Sequence, residues 1–158
     1  MALIDEKILS VTDADSPLIA SLPRPLVFTN GCFDILHRGH VSYLEEAAQF
    51  GRSMLVAVNT DNSVRQQNKG TDRPINPLAD RLALLAALQS VDLVIPFDAD
   101  TPLELIQMIQ PDILVKGGDW PVEQIVGAEE VIKHGGEVHS IRFRYQRSTS
   151  DLINRIRS

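Results

Sequence analysis

The chain has 158 residues, of which 44% are apolar and 23% are charged, as is usual for a one-domain globular protein. Its 15 basic and 21 acidic residues give a net charge of −6, which argues against broad binding to nucleic acid or a membrane surface. No apolar stretch approaches the roughly 20 residues that a bilayer-spanning helix needs. An acidic N-terminus without a secretory signal pattern and a single cysteine, Cys32, favour a cytoplasmic protein without disulfides.

The chain alternates short apolar runs with helical patterns after an irregular first segment. Residues 1–24 are predicted to form a helix and linker extension, and residues 25–158 to form the domain. Strands are predicted at 26–29, 54–58, 91–96, 113–116 and 137–143. Helices are predicted at 41–50, 77–88, 102–109, 127–134 and 148–157. This alternation predicts an α/β fold: a Rossmann-like, doubly wound sheet of about five parallel strands with flanking helices.

Polar or glycine-containing segments follow four of the five predicted strands. They cover residues 30–40, 59–76, 116–120 and 147–150. Because the carboxyl ends of parallel strands lie at one edge of a sheet, and ligands bind outside that edge, we expect the four segments to form one site. Several arginines crowd the C-terminal end of this acidic chain, which suits a small polyanionic substrate.

Two histidines, His37 and His40, flank Gly39 where the first strand gives way to a helix. Helix starts offer unpaired N–H groups and a partial positive charge, and imidazoles can donate hydrogen bonds to phosphate oxygens. Gly31 follows the strand directly and permits a tight turn that brings backbone N–H groups near a ligand. A zinc site made of Cys32, His37 and His40 is the competing interpretation, although no second Cys/His cluster accompanies them.

Residues 29–40, Thr-Asn-Gly-Cys-Phe-Asp-Ile-Leu-His-Arg-Gly-His, resemble the opening motif of the cytidylyltransferase-like nucleotidyltransferases, which is marked by His-x-Gly-His. The resemblance covers about residues 25–157. Within the family it is greatest to adenylyltransferase domains of the ADP-heptose synthase type. Further matching motifs lie at residues 56–61, Lys69-Gly70, residues 73–77, Arg81, residues 112–120 and residues 135–138. Together these motifs are far more specific than His-x-Gly-His alone.

The resemblance implies roles for individual residues of this chain. His37 and His40 would bind the triphosphate and stabilise the transition state, with Lys69 as a further catalytic cation. The implied nucleotide-binding residues are Asn30, Gly31, Phe33, Gly39, Arg81, Lys116, Gly118, Arg147, Ser148, Thr149 and Ser150. The implied acceptor-binding residues are Asn59, Asp61, Asp119 and Trp120. No protein-held metal is expected.

Several of these residues keep two interpretations. Lys69 is either a mobile cation that closes over phosphates or a solvated loop lysine. Arg81 either reaches phosphate or braces its loop, and Trp120 either stacks on a ring or covers the sheet edge. Ser148 is also a good helix N-cap. Asp34 is expected to be mainly structural.

Residues 143–147 replace the Arg-Thr-x-Gly-Ile stretch of cytidylyltransferase relatives, and this difference favours ATP over CTP. The resemblance implies transfer of AMP from ATP, with Mg²⁺, to D-glycero-β-D-manno-heptose 1-phosphate, giving ADP-heptose and pyrophosphate for lipopolysaccharide core synthesis. It also implies a homodimer and a separate heptose kinase upstream. The alternatives are a transferase of the same fold acting on glycerol 3-phosphate, a flavin precursor or pantetheine phosphate, and a non-catalytic nucleotide-binding module.

Overall fold

The computed structural model describes residues 3–67 and 70–158 and contains one parallel sheet. Its strands are β1 (Leu26–Gly31), β2 (Ser53–Asn59), β3 (Leu93–Phe97), β4 (Ile113–Gly117) and β5 (Glu137–Ile141). The order across the sheet is β3-β2-β1-β4-β5, and all neighbouring strands are parallel. The predicted α/β sheet of about five parallel strands is confirmed.

Helices cover both faces of the sheet. The α-helices of the described residues are α1 (Pro17–Ala20), α2 (Arg38–Ala48), α3 (Asp61–Gln66), α4 (Leu78–Ala86), α5 (Leu103–Ile109), α6 (Ala128–Lys133) and α7 (Thr149–Arg157). Leu26 and Phe28 of β1 face a core layer shared with α1, α5 and α6, whereas Val27 faces a layer shared with α2 and α4. Across the described ranges, no helix has the length and apolar character needed to span a membrane.

The residues before β1 pack against the β3 edge of the sheet. Leu9 donates its backbone N–H to the Val94 carbonyl at 2.9 Å, and Lys7 Nζ donates to the Val91 carbonyl at 2.8 Å. The side chains of Leu9 and Ile19 are buried in the core layer that contains α5 and α6. This segment therefore contributes to the core of the domain that follows it.

The predicted element boundaries differ from the structure at three informative places. Helix α2 begins at Arg38 rather than at residue 41, because the His37 side chain caps it and draws the histidine motif into the first turn. Strand β5 ends at Ile141 rather than at residue 143, and the following residues leave the sheet to cross over the site. The short polar helix α3 was not predicted.

The strand order places a topological switch point beside β1. After β1 the chain builds outward through β2 and β3, and then returns to the other side of β1 with β4 and β5. The loops that follow β1 and β4 therefore leave the sheet in opposite directions and open a crevice between them, which is where ligands bind in such sheets.

Candidate active site

Three adjoining cavities lie along the carboxyl ends of the strands at this switch point. We call them the histidine cavity, of about 410 Å³, the connecting cavity, of about 170 Å³, and the sheet-edge cavity, of about 370 Å³. Cys32 lines all three, and His40, Phe33 and Phe143 line both the histidine and connecting cavities. The three spaces thus form one continuous site, as the convergence of the loops predicts.

The histidine cavity gathers most of the residues that the resemblance assigns to phosphate binding. Helices α2 and α7 both begin at its wall, so two sets of helix-start N–H groups face one space. Its lining residues are Cys32, Phe33, Asp34, His37, His40, Arg73, Phe143, Arg147, Ser148, Thr149 and Ser150. Cationic, imidazole and hydroxyl groups make it suited to a phosphorylated ligand.

His37 and His40 form a reciprocal capping box at the start of α2. The backbone N–H of His40 donates to His37 Nδ1 at 3.4 Å, and the backbone N–H of His37 donates to His40 Nδ1 at 3.4 Å. The two rings stack with their centroids 3.8 Å apart. Because both Nδ1 atoms accept hydrogen bonds, each neutral ring carries its proton on Nε2, where it can be donated to a ligand.

The surroundings of the two imidazoles disfavour their charged forms. Burial, and secondly the nearby His37, lower the pKa of His40 to about 4. Burial, and secondly the positive charge of Arg147, also lower the pKa of His37. Near neutral pH, the ligand-free site therefore presents two neutral Nε2–H donors.

Gly39 permits this arrangement because there is no room for a side chain at its position. A Cβ atom there would lie 2.9 Å from the His37 ring and 3.3 Å from the Tyr145 carbonyl oxygen. Tyr145 belongs to the loop between β5 and α7, and its ring lies 3.8 Å from the Arg38 guanidinium carbon. The glycine between the two histidines thus allows this loop to approach the start of α2.

The start of α7 supplies the hydroxyl groups of the cavity. Ser148 is its N-cap, and the Ser148 hydroxyl accepts a hydrogen bond from the Asp151 N–H at 3.0 Å. The Thr149 hydroxyl donates to the Ile35 carbonyl at 3.3 Å, which ties α7 to the loop after β1. Arg147 is exposed, and its guanidinium donates to the neighbouring Gln146 carbonyl.

Asp34 anchors the segment that precedes α4. Its fully buried carboxylate accepts hydrogen bonds from the N–H groups of Ile75 and Asn76 and from Arg73 Nε. Burial alone would raise the pKa of Asp34, but these hydrogen bonds outweigh it and hold the pKa below its usual value. The carboxylate therefore stays ionised and fixes the segment against the loop after β1.

Arg81 braces the framework beneath the cavities. Its side chain is fully buried and donates to the carbonyl oxygens of Cys32, Asn59 and Asn76 at 2.7–3.0 Å. It also forms an ion pair with Asp61 at 2.7 Å. Of the two interpretations of Arg81, this geometry favours the brace over direct contact with nucleotide. The resemblance implied that Asp61 binds the acceptor substrate, but in this structure its carboxylate pairs with Arg81.

The sheet-edge cavity contains the other main group of predicted residues. Asn30 and Gly31 from β1, Asn59 from β2, Lys116 from β4, and Trp120 line it. Apart from Trp120, which lies in the loop after β4, these residues come from three neighbouring strands, which brings them together at the crevice. Amide groups and a lysine beside an apolar wall suit a polar ligand that carries an anionic group.

The loop after β4 splits between the cavity and the surface. Trp120 lines the sheet-edge cavity although its side chain is half exposed, and its backbone N–H donates to Ser140 Oγ at 3.1 Å. Gly118, at φ +113°, turns the chain toward it. Asp119 is exposed, with its carboxylate 3.4 Å from Arg142.

Lys69, predicted as a catalytic cation, lies outside the described residues.

The thiol of Cys32 lies near two side-chain amides. Its Sγ is 3.6 Å from Asn59 Oδ1 and 3.5 Å from Gln67 Oε1. Within residues 3–67 and 70–158, no cluster of three or more His, Cys, Asp or Glu side chains is arranged to hold a metal ion. The geometry of Cys32 therefore gives no support to the zinc interpretation.

Several lining residues escaped the sequence analysis. Asp100, Thr101 and Pro102 follow β3 and line the sheet-edge cavity, so applying the strand-end argument to this strand as well would have found them. Phe143 was noticed as a difference from cytidylyltransferase relatives but not as a cavity wall. Arg73 was noticed only as part of a matching motif, yet it lines the histidine cavity.

Fold and site together define the class of protein. A doubly wound parallel sheet with paired imidazoles, arginines and two helix starts at its switch point is an α/β protein built to bind phosphorylated ligands. The model of the family described as cytidylyltransferase-like matches residues 28–155, and the chain belongs to this family.

Comparison with individual proteins shows which members of this family the chain is similar to. D-beta-D-heptose 1-phosphate adenylyltransferase of Bordetella bronchiseptica is 52% identical over 157 residues, which cover 99% of this chain and 97% of that protein. Bifunctional protein HldE of Histophilus somni is 57% identical over 83% of this chain, which spans only 27% of the HldE sequence. The crystal structure of the lipopolysaccharide core biosynthesis protein from Thermoplasma volcanium GSS1 is 31% identical with a TM-score of 0.61, covering 77% of this chain and 98% of that chain.

Proposed function

We propose that this protein transfers AMP from ATP to D-glycero-β-D-manno-heptose 1-phosphate, giving ADP-heptose and pyrophosphate for lipopolysaccharide core synthesis. The observation that carries the proposal is the 52% identity to a heptose 1-phosphate adenylyltransferase across nearly the full length of both chains. The histidine cavity supports it, since its helix starts, imidazoles and arginines suit a triphosphate.

The reaction needs charge stabilisation more than proton transfer. A phosphate oxygen of the sugar phosphate attacks the α-phosphorus of ATP, a new P–O bond forms, and the bond to the β-phosphate oxygen breaks with its electron pair leaving on pyrophosphate. The nucleophile is already an anion, so no general base is required. Positioning and hydrogen bonds to developing negative charge are therefore the main sources of rate.

The adjoining cavities give this chemistry a layout. The triphosphate occupies the histidine cavity, and the sugar phosphate occupies the sheet-edge cavity. Lys116, expected to bind nucleotide, lines both the sheet-edge and connecting cavities and so lies between the two substrates. The two substrates meet in the connecting cavity, which both His40 and Lys116 line. His40 thereby donates its Nε2–H to the α-phosphate, while His37 contacts the phosphates further in. Lys69 is proposed from the resemblance alone as a further cation for these phosphates.

Mg²⁺ enters this scheme as part of the Mg·ATP substrate. Asp34 lines the histidine cavity, but both of its oxygens already accept hydrogen bonds from Arg73 and from backbone N–H groups. Among the described residues, this donor set does not fit a protein-held ion. We therefore derive no step through a metal that the protein itself holds.

The pathway context is also part of the proposal. The Histophilus relative is named a bifunctional protein, whereas the Bordetella relative, which this chain matches over 97% of its length, is named only an adenylyltransferase. We propose that here, too, a separate heptose kinase supplies the sugar 1-phosphate. We further propose that the protein is cytoplasmic, because ATP and sugar phosphates are cytoplasmic metabolites and the single cysteine suits a reducing compartment. That it forms a homodimer is proposed from the family resemblance alone.

An acceptor panel tests this proposal. Purified protein is incubated with ATP or CTP and with heptose 1-phosphate, glycerol 3-phosphate, riboflavin 5′-phosphate or pantetheine phosphate, and pyrophosphate release is measured. We expect release with ATP and heptose 1-phosphate, and we expect His40→Ala to bind ATP but turn over at least about a hundredfold more slowly. His134→Ala, which changes an exposed histidine at the C-terminal cap of α6, is the matched control and should behave as wild type.

Each other result has a defined meaning. Release with a different acceptor would replace the proposed substrate. ATP binding without release from any acceptor would favour the non-catalytic module. Normal turnover by His40→Ala would reject the proposed role of the histidine cavity.

A further inference from the structure

Arg73 is a nearly buried cation in the wall of the histidine cavity. Only 7% of the residue is exposed, and its Nε atom donates to Asp34 at 2.6 Å. The roles assigned above to the imidazoles, the α7 hydroxyls and Arg147 leave this guanidinium out. Burying a cation is costly unless it is paired, and Asp34 supplies the pairing charge.

Asp34 holds Arg73 in one orientation. The carboxylate is fully buried and is itself fixed by the N–H groups of Ile75 and Asn76. Since the Nε atom faces this fixed acceptor, the plane of the guanidinium has little freedom to rotate. The Asn76 side chain adds a second tie by donating to the Asp34 carbonyl at 2.7 Å.

The terminal nitrogens of Arg73 open onto the cavity. Within the described residues they make no hydrogen bond to protein, and no polar side-chain atom there is sealed from solvent without a partner. The accessible part of this side chain therefore faces the space that it lines, together with His37 and His40. A fixed guanidinium with unused donors in an anion-binding cavity matches the geometry of phosphate oxygens.

Position along the site identifies which phosphates Arg73 can reach. His40 lines both the histidine and connecting cavities, and in the proposed layout this junction is where the α-phosphate meets the acceptor. Arg73 lines only the histidine cavity, away from that junction. The β- and γ-phosphates extend from the α-phosphate into this part of the site.

We propose that Arg73 binds the β- and γ-phosphates of ATP and stabilises the pyrophosphate that leaves, an inference that rests on the proposed function. As the bond between the α-phosphorus and the β-phosphate oxygen breaks, its electron pair moves to pyrophosphate, and the terminal N–H groups of Arg73 donate to the charge that develops. The guanidinium stays protonated throughout, so no proton transfer is involved. Arg147, by contrast, is exposed and has no buried carboxylate to fix it among the described residues.

The test compares Arg73→Lys with wild type by calorimetric titration of pyrophosphate and by steady-state kinetics. Lysine keeps a positive charge beside Asp34 but loses the planar fork of donors. We expect pyrophosphate affinity and kcat/KM for ATP to fall at least about tenfold, with the KM for the sugar phosphate unchanged. Arg24→Lys is the matched control, because Arg24 also forms an arginine–aspartate pair, with Asp112, but at the amino ends of β1 and β4, away from the site.

A purely structural role would change thermal stability without changing the pyrophosphate affinity of the folded protein. The double variant Asp34→Asn/Arg73→Gln removes the ion pair as a unit and provides a second folded protein for the titration. Wild-type pyrophosphate affinity in Arg73→Lys or in the double variant would overturn the inference. Tight pyrophosphate binding by wild type, weakened in Arg73→Lys but without release of pyrophosphate from ATP and heptose 1-phosphate, would overturn the proposed function instead and support the role of Arg73.

Discussion

His37 and His40 are neutral before a nucleotide arrives, and this property follows from their immediate surroundings. Burial lowers the pKa of both imidazoles, helped by the charge of Arg147 at His37 and by the nearby His37 at His40, whose pKa falls to about 4. The hydrogen bonds between each Nδ1 and the partner's N–H keep both Nε2–H groups available. A negatively charged phosphate near these donors favours their protonated forms, so ligand binding strengthens the attraction.

The same low pKa makes the stability of the ligand-free protein depend on pH. In the unfolded chain a histidine titrates near pH 6.5, whereas His40 in the fold titrates near pH 4. Between these values the unfolded state binds more protons, so the free energy of unfolding falls as the pH is lowered, and this loss ends below about pH 4. We expect His40→Asn, which keeps an acceptor for the His37 N–H, to reduce the loss by roughly 1–2 kcal/mol.

Urea unfolding of ligand-free protein between about pH 7.5 and 4.5 measures this difference. Carboxylates such as Asp34, whose pKa is lowered, also lose stabilising charge toward the acid end, but they do so equally in both proteins. His134→Asn, an exposed histidine elsewhere, provides the control and should follow wild type. Parallel curves for wild type and His40→Asn would contradict the expected role of His40.

Single residues differ in how well their sequence context predicts them. His37, His40 and Ser148 were predicted to meet because strand ends converge, and they line one cavity. The sequence could not decide between the two roles of Arg81, because its guanidinium donates mostly to backbone carbonyl oxygens at the ends of separate strands. A sequence identifies a cation but does not say which carbonyl groups the fold will point at it.

At the scale of elements, the loop between β5 and α7 is held against the start of α2 by a contact between Arg38 and Tyr145. The Arg38 guanidinium lies over the Tyr145 ring, 3.8 Å from its centroid. This loop carries Phe143 and Arg147 into the histidine cavity. Arg38, which lies between His37 and Gly39, thus helps to position the opposite wall of the site.

Loss of this contact is expected to weaken nucleotide binding moderately. A cation–π contact at an exposed position contributes roughly 0.5–1 kcal/mol, so Arg38→Gln and Tyr145→Leu should each raise the KM for ATP about two- to fivefold. Steady-state kinetics with varied ATP measure the effect. Tyr145→Phe keeps the ring and is the matched control, with an expected KM equal to wild type. An equal rise in Tyr145→Phe, or no rise in Arg38→Gln, would contradict the proposed role of the contact.

Element boundaries show where periodicity predicts well and where local chemistry overrides it. The apolar periodicity located α2, but its first turn, 38–40, is polar and depends on the histidine capping box. Helix α3 was missed because it has only six residues, mostly polar, capped by the Thr60 hydroxyl. Short helices depend more on caps and tertiary contacts than on periodicity.

For the whole molecule, alternation of strands and helices predicted the parallel sheet but not the order of its strands. Either edge of β1 offers unpaired backbone N–H and C=O groups to a neighbouring strand, and only the packed structure shows that β4 pairs on the side opposite β2. That return creates the crevice in which the site lies. The segment before β1 illustrates the same limit, since its few apolar residues gave no periodic signal although Leu9 and Ile19 enter the core.

Removal of residues 1–24 is therefore expected to destabilise the folded domain rather than merely shorten the chain. The deletion uncovers apolar side chains beneath Leu9 and Ile19 and removes the hydrogen bond from the Leu9 N–H to the Val94 carbonyl. Burial of two such side chains contributes about 3–6 kcal/mol, so the unfolding midpoint in urea should fall clearly. In the full chain, Leu9→Ala should lower it in part, while Leu3→Ala, at a 70% exposed position, should not. An unchanged midpoint in the shortened protein would mean that residues 25–158 are stable without this segment, as a linker would allow.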